Sequence, residues 1–453
     1  MRLRTGSIGL FLLLSSALYG QDRPVGPPLP VILHHADAFA VRPSDSGDVR
    51  ELIGNVWLQQ GNATLRCGTA LQYIATGLVV LRHNVRLEQD GLRITAPLII
   101  YDPAAATAVA EQGAEIRQDG RSVRARWGFY NIAQRELLLV TDVLYRDETL
   151  TLWTDTLRYH RTTGVSHSWG GGYAESPSGH LSAEADTITY LPQSSQIRLA
   201  GSAILRQLDT AAHDTVWLTA ATILLRRDST GNHLRAEGSA SIVRDTLWAA
   251  RASRVLWEED SGHVGLSGNP TVWYGAAELK ADSVVVFLQG GQFSILHGYG
   301  NARLRIRIDT TLRMHQLKAD SVSLRRLSDS LAELHAVGNT RTVYWHYDSD
   351  GVPAGLFRNS ADRVELILYD DSLQTARWLG KIYGEYVPEP LIGERPAEWS
   401  LPSLAWQEER PLVPSWRHRW RWQKASSVSK PAPKSQRTLE SPQVLTPRNF
   451  KRP

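Results

Sequence analysis

The sequence predicts an all-β fold that is built from stacked repeats. Between Cys67 and Leu366 it returns ten times to a short strand pattern, Ala-Asp-Ser/Thr-Val-x-apolar or a near variant, followed by a polar turn. Neighbouring copies start 29 to 42 residues apart, a period that is typical of repeat architectures. Nothing between Ala36 and Ile382 keeps a helical period with caps. The copies begin at Cys67, Ala96, Ala125, Thr154, Ala185, Ala220, Ala252, Ala281, Ala319 and Ala361.

A second element recurs between these strands: a glycine, a small or polar residue, and then alternating apolar positions. In Gly54-Asn-Val-Trp-Leu the alternation places Val56 and Leu58 on one face of a sheet and their neighbours on the other. A glycine at the head of a strand supplies the positive φ, or the close backbone approach, that a corner needs. Each repeat therefore holds at least two strands with one buried face. Further copies begin at Gly113, Gly201, Gly238, Gly300 and Gly338.

The N-terminus has the features of a secretory signal peptide. Arg2 and Arg4 precede an apolar run from Ile8 to Leu18, and the chain becomes polar at Gln21. This run of 11 residues is too short for a helix that crosses a bilayer, which needs roughly 20. We predict that residues 1–20 direct export, with cleavage after Ala17 or Gly20.

The C-terminal segment 388–453 differs from the rest of the chain in charge and proline content. From Arg410 onward it has eleven Lys or Arg against Glu440 alone, a net charge of +10 in a chain whose total is +4. It also holds 11 of the 22 prolines. This composition predicts a disordered tail after a folded body that ends near Val387.

Within this tail, Trp and Arg alternate in a way that suits anionic lipid headgroups, because Arg pairs with phosphate and Trp prefers membrane interfaces. A solvated end without a binding role is the alternative. Nucleic acid is a poor partner for an exported chain. The candidate headgroup contacts are Trp416, Arg417, Arg419, Trp420, Arg421 and Trp422.

Catalytic or metal-binding chemistry finds little support. The adjacent pair His34-His35 would point to opposite faces of a strand, so it cannot hold one metal ion. Cys67 replaces the Ala of other copies, which predicts a buried, inert thiol rather than a nucleophile. We predict no cofactor and no metal. The recurring aspartates are interpreted as turn caps at strand starts rather than as a calcium ladder: Asp155, Asp186, Asp282, Asp320 and Asp362.

Three consecutive glycines, Gly170-Gly171-Gly172, lack the Lys-Ser/Thr of a phosphate loop. We interpret them as a hinge or loop between two blocks of the fold. This predicts block 1 at residues 31–160 and block 2 at residues 174–387.

The segment Gly54-Asn-Val-Trp-Leu-Gln-Gln-Gly-Asn-Ala-Thr-Leu-Arg-Cys-Gly-Thr-Ala-Leu-Gln-Tyr resembles the OstA-like (organic solvent tolerance) family. This LptA-type family has a periplasmic β-jellyroll domain and serves lipopolysaccharide export in Gram-negative bacteria. The match is closest from about His35 to Asp119. Asn359-Ser-Ala-Asp-Arg-Val-Glu-Leu-Ile-Leu-Tyr-Asp resembles later repeats of long members from the Bacteroidetes/Chlorobi branch. The outer-membrane member continues into a large barrel, so the chain looks more like the soluble bridge.

The resemblance implies an elongated, twisted, repetitive β-jellyroll whose apolar trough shields acyl chains. It also implies that open sheet edges pair end to end with other jellyroll domains of the bridge, or with a second copy of the chain, in the periplasm or near the outer membrane. Burial of acyl methylenes at roughly 0.8 kcal/mol each would drive binding. The residues expected to line the trough are Val56, Leu58, Leu65, Leu71, Tyr73, Val85, Leu87, Ile94, Leu98 and Ile100.

Three functions follow from these observations. The first is a non-enzymatic carrier or bridge for lipopolysaccharide in outer-membrane biogenesis. The second is an exported β-solenoid that serves as an adhesin or surface scaffold, with a solid core. The third, a parallel β-helix that acts on polysaccharide, is disfavoured because no paired carboxylates stand out from the repeats.

Overall fold

A computed structural model shows an elongated β-jellyroll, as the sequence predicts. The predicted signal peptide, residues 1–20, lies outside the described part of the chain. The structure describes residues 29–43, 47–209, 214–244, 248–258, 261–289, 292–308, 313–328, 330–369, 372–393, 396–402, 404 and 408–417.

These residues contain 28 strands, one α-helical turn and two 3₁₀ turns. The strands of the N-terminal half are β1 Val31–His35, β2 Ala38–Arg42, β3 Val49–Gln60, β4 Ala63–Tyr73, β5 Val79–Gln89, β6 Leu92–Asp102, β7 Thr107–Ala110, β8 Ala114–Gln118, β9 Arg121–Ala125, β10 Trp127–Asn131, β11 Glu136–Arg146, β12 Thr151–His160, β13 Ser166–Glu175 and β14 Leu181–Leu191. Those of the C-terminal half are β15 Gln196–Asp209, β16 Asp214–Asp228, β17 Gly231–Arg244, β18 Trp248–Glu258, β19 His263–Ser267, β20 Thr271–Tyr274, β21 Ala277–Lys280, β22 Ser283–Gln289, β23 Gln292–Arg307, β24 Met314–Arg326, β25 Leu331–Tyr347, β26 Pro353–Tyr369, β27 Ser372–Leu379 and β28 Tyr383–Pro388. The helix α1 is Glu389–Ile392, and the 3₁₀ turns are Pro192–Ser194 and Pro396–Trp399.

Each long strand pairs with the next strand along the chain, and every strand pairing of the described residues is antiparallel. At six places in the described residues a pair of short strands takes the position of one long strand. The pairs are β1 and β2 on β3, β7 and β8 on β6, β9 and β10 on β11, β19 and β20 on β18, β21 and β22 on β23, and β27 and β28 on β26. This pairing is that of a meander. It contradicts a parallel β-helix, whose coils would pair in parallel.

A corner interrupts every second long strand near its middle, in β3, β5, β11, β13, β15, β17, β23 and β25, and a further corner joins β19 to β20. There, two consecutive residues have positive φ, the strand gains one residue relative to its partner, and the register shifts. The recurring glycine pattern therefore does supply positive φ. Gly113 does so at the head of β8, as predicted, whereas the other copies do so in the middle of strands. The residue pairs are Gly54-Asn55, His83-Asn84, Thr141-Asp142, Gly170-Gly171, Gly201-Ser202, Gly238-Ser239, Gly268-Asn269, Gly300-Asn301 and Gly338-Asn339.

The recurring aspartates stabilise these corners. Their interpretation as caps at strand starts is wrong for four of the five, which lie inside strands, whereas Asp282 directly precedes β22. Asp320 lies within β24, and the Asn339 amide donates hydrogen bonds of 2.9 and 3.2 Å to its two carboxylate oxygens. A Cβ atom at Gly338 would collide with the same carboxylate, so only glycine fits there. The same arrangement joins Asp282 to Asn301. Asp155, Asp186 and Asp362 face the glycines of their own corners in the same way.

The apolar interior consists of two large clusters that follow one another along the molecule. The first extends from Val56 to Leu157, and the second from Leu181 to Val364. Both contain buried residues from either side of each corner, such as Leu81 and Leu87 in β5. The sheet thus folds at its corners over a shared core.

Gly170 and Gly171 form one of the corners inside β13, so the interpretation of the three glycines as a hinge or loop is wrong. Strands β12, β13 and β14 pair continuously through this region. The division into blocks 31–160 and 174–387 stays a prediction. The boundary between the two core clusters, from Leu157 to Leu181, lies in the same region.

The described residues between Pro388 and Arg417 lie against the body of the protein, which differs from the disordered tail predicted for them. We call the described residues of 388–417 the C-terminal strap. Ile392, Leu401 and Leu404 are buried against Trp345 and Leu356 of β25 and β26. Farther along the strap, the Glu408 carboxylate accepts a hydrogen bond from Thr271 and forms an ion pair with Lys280. The last described residues of the strap contact strands β13 to β16. None of the described helices is long and apolar enough to span a bilayer.

Candidate ligand-binding cavity

Six of the ten predicted trough residues are buried in the first core cluster, with exposures of 0 to 5%. They are Val56, Leu58, Leu65, Val85, Leu87 and Ile94. Their side chains pack together in the interior of the first repeats, and their role as the lining of a trough stays a prediction. Of the ten, Ile94 alone lines one of the described cavities, a small one of about 10 Å³.

The other four residues, Leu71, Tyr73, Leu98 and Ile100, are only partly buried. In β6 the buried positions are Leu92, Ile94 and Ala96 on one side of the β5 corner, but Ile99 and Tyr101 on the other. The register shift exchanges the two faces of the strand, because side chains alternate with a period of two. A regular alternation carried through the corner therefore selects the wrong residues.

An apolar cavity lies at the boundary between the two core clusters. Its volume is about 160 Å³. Leu137 and Leu157 line it from the first cluster, and Leu181, Leu199 and Leu205 line it from the second. An apolar cavity of about 150 Å³ admits a benzene-sized group and stays dry. This space can therefore take a short apolar segment without any movement of the walls.

Tyrosines and one arginine surround the polar end of this cavity. The Tyr145 hydroxyl donates a hydrogen bond of 2.6 Å to Asp147, and Tyr159, Tyr190 and Arg121 lie nearby in the lining. Burial raises the pKa of Tyr145, and the hydrogen bond to Asp147 raises it further. Burial also raises the pKa of Tyr190, while the Arg121 charge partly opposes this shift. The Tyr145 and Tyr190 hydroxyls therefore stay protonated at neutral pH.

The end of the strap packs behind the wall of the cavity. Trp416 contacts the Tyr173 ring edge to face at 5.3 Å and the Trp217 ring at 5.2 Å. Tyr173 neighbours the lining residue Ala174 on β13, and adjacent strand residues point to opposite faces. The strap therefore supports, from outside, strands whose inner faces form the cavity.

Arg417 attaches the strap to a buried carboxylate. Its backbone N–H donates to both oxygens of Glu184 at 3.0 Å, and its guanidinium donates to the Ser202 carbonyl at 2.8 Å. The Glu184 side chain is fully buried, and Asp186 lies 3.4 Å from the Arg417 guanidinium. Trp416 and Arg417 thus bind the body of the protein, and their assignment as headgroup contacts stays a prediction. Arg419, Trp420, Arg421 and Trp422 lie outside the described residues.

Cys67 is 7% exposed and packs in the first core cluster, and its thiol donates to the Thr69 carbonyl at 3.2 Å. Burial raises the pKa of the thiol to about 11, so it stays protonated at neutral pH. The described residues contain no group of three or more His, Cys, Asp or Glu that could hold a metal ion.

We expect Cys67 to react with iodoacetamide at least tenfold more slowly in the folded protein than in urea at the same pH, because the thiolate is the reactive species and burial disfavours it. Mass spectrometry of alkylated protein measures both rates. Cys67→Ala should fold normally, since sister repeats have Ala at this position. Equal rates in the two states would contradict a buried thiol.

The two ends of the described sheet have strands paired on one side only. Strands β1 and β2 pair with β3, and strands β27 and β28 pair with β26. Large apolar side chains are exposed there, among them Phe39 at 60% and Tyr383 at 72%. Such edges can accept a further strand.

These features define a long antiparallel β-jellyroll with an apolar interior. Residues 29–117 match the family described as OstA-like protein, which confirms the predicted family for this segment. Among solved structures, the chain is similar to LptH, described as the LptA homologous periplasmic component of the conserved lipopolysaccharide transport device from Pseudomonas aeruginosa. That likeness has 14% identity and a TM-score of 0.23, and covers 30% of this chain and 92% of LptH. No curated protein matches the chain.

Proposed function

We propose that this protein is a non-enzymatic, periplasmic carrier of lipopolysaccharide or a related glycolipid. Acyl chains enter the interior between the two core clusters, and the sugar headgroup remains in solvent. The single observation that carries this proposal is the apolar cavity of about 160 Å³ with its polar end. The OstA-like match at residues 29–117 supports the same class of function.

The volume of the cavity limits the length of acyl chain that can bind while the cavity walls stay in place. At roughly 0.8 kcal/mol per buried methylene, six methylenes contribute about 5 kcal/mol, which corresponds to weak to moderate affinity. A full acyl chain needs more space. It therefore requires the walls to separate, and the strap is in contact with one of these walls.

The exposed sheet ends provide contacts for a bridge toward the outer membrane. A second jellyroll domain, or another copy of this chain, would add strands to β1 and β2 at one end or to β27 and β28 at the other. The exposed apolar residues at these edges would become buried in such a pairing.

The test fills the cavity and measures glycolipid binding. Ile197 lines the cavity, whereas its neighbour Arg198 points to the exposed face. We expect Ile197→Trp to weaken the binding of fluorescently labelled lipopolysaccharide at least tenfold, because indole occupies the space of the acyl chain. Arg198→Trp should bind as the unsubstituted protein does.

Fluorescence titration measures affinity, and circular dichroism checks that both variants fold. Equal affinities for Ile197→Trp and the unsubstituted protein would place binding elsewhere. If the unsubstituted protein binds no glycolipid and none co-purifies with it, the solid-core scaffold becomes the better description. The packed interior of the first repeats favours that alternative.

A further inference from the structure

A polar cleft of about 740 Å³ adjoins the apolar cavity. Leu92, Gln118 and Arg121 line both spaces, so one molecule can occupy the two at once. Gln118 and Arg121 flank the Asp119-Gly120 turn of the β8–β9 hairpin. An apolar space that opens into a polar cleft suits an amphipathic ligand.

Most arginines of this cleft are already paired with carboxylates. Arg93 lies 2.6 Å from Glu88, and Glu115 accepts from Arg117 at 2.7 Å and from Arg124 at 3.4 Å. These arginines are also more than half exposed, with side-chain exposures of 51 to 66%. With Glu88 and Glu115 they form a group of net charge +1, and solvent screens that charge.

Arg121 differs from these arginines. Its side chain has no ion pair and no hydrogen bond to another residue of the described chain, although it is partly buried at the mouth of the cavity. The Arg121 charge opposes the burial effect on the pKa values of Tyr145 and Tyr190, so it lies within electrostatic reach of both hydroxyls.

Arg161 is a second cation beside Gln118. Its guanidinium donates to the Gln118 side chain at 3.3 Å, to the Tyr130 hydroxyl at 2.9 Å, and to the carbonyls of Gln89 and Asp90 at 3.2 and 3.0 Å. All four acceptors are uncharged. They use four of the five guanidinium N–H groups and leave one on Nη1. No carboxylate of the described residues is within ion-pair distance of Arg161.

We propose that Arg121 and Arg161 bind the phosphate of an amphipathic lipid whose apolar chain occupies the adjacent cavity. This inference rests on the proposed function and assigns the headgroup contact to this cleft. A guanidinium suits phosphate because its planar N–H groups match the phosphate oxygens. Arg161 is held in position by its neutral acceptors, while Arg121 is free to turn toward the ligand.

The experiment compares two soluble lipids with the same chains: dioctanoyl phosphatidic acid and uncharged dioctanoylglycerol, each below its aggregation concentration. Calorimetric titration of the full chain measures both affinities. We expect Arg121→Gln to weaken binding of the phosphatidic acid about tenfold and to leave binding of dioctanoylglycerol unchanged. Arg124→Gln, in the same cleft but paired with Glu115, is the matched control and should have little effect.

Arg161→Gln removes four hydrogen bonds and can disturb folding, so Arg161→Lys, which keeps the charge, accompanies it. Equal effects of Arg121→Gln and Arg124→Gln would overturn the assignment. So would Arg121-dependent binding of inorganic phosphate as tight as that of the lipid, because the site would then serve free phosphate. If the unsubstituted protein binds neither lipid, the proposed function itself fails. If it binds both equally and Arg121→Gln changes nothing, only the phosphate site fails.

Discussion

Deletion of residues 388–453 is expected to lower the thermal unfolding midpoint by about 5 °C or more. The strap buries Ile392, Leu401 and Leu404 against β25 and β26, and each such side chain contributes about 2 kcal/mol. The Leu401 N–H also donates to buried Gln316 at 2.8 Å. Differential scanning calorimetry measures the midpoint. The matched control deletes residues 418–453 and keeps every described strap contact.

A point variant separates the far end of the strap from its beginning. Trp416→Ala removes the contacts with Tyr173 and Trp217, whereas Leu412→Ala alters a side chain that is 85% exposed. The first change should lower stability and the second should not. If the 388–453 and 418–453 deletions give the same midpoint, the strap does not stabilise the body.

Leu87→Asp is expected to destabilise the N-terminal repeats by about 4 kcal/mol or more. Leu87 is fully buried in the first core cluster, so the variant loses apolar burial and places a carboxylate where it has no partner. Arg86, its exposed neighbour on β5, is the matched control. Arg86→Asp should change stability by about 0.5 kcal/mol or less.

Urea unfolding followed by Trp fluorescence measures both variants. Because Leu87 is fully buried, the expected result is unfolding rather than a selective loss of lipid binding. A folded Leu87→Asp variant that only fails to bind glycolipid would instead indicate an open trough in the first repeats.

Local patterns in the sequence predict much of the fold. Period-two alternation identifies Val56, Leu58, Leu65 and Leu87 as interior residues, and all four are buried. The glycine pattern also identifies the positions of positive φ, as at Gly54 and Gly338. The sequence does not predict that the corners lie in the middle of strands. A bulge depends on how two strands align, and one strand alone does not reveal that alignment.

The cavity could not be located from the sequence. Leu157 and Leu199 are ordinary apolar positions in their own repeats, and nothing near them in the chain marks the unfilled space that they share. The sequence did contain a pattern that marks the strap. The alternating Trp and Arg residues indicated a functional segment, but their partners, Tyr173 and Glu184, lie more than 230 residues away in sequence.

The sequence by itself determined an all-β chain of repeats, the residues that form its corners, and the OstA-like character of its first repeats. These depend on backbone preferences and on side-chain alternation, which act within a few residues. Only the tertiary structure decided where the interior stays open, which face is buried beyond each corner, and that the described residues after Val387 lie against the body. The reason is that cavities and packed segments depend on the volumes and charges of side chains that meet only after the repeats have stacked.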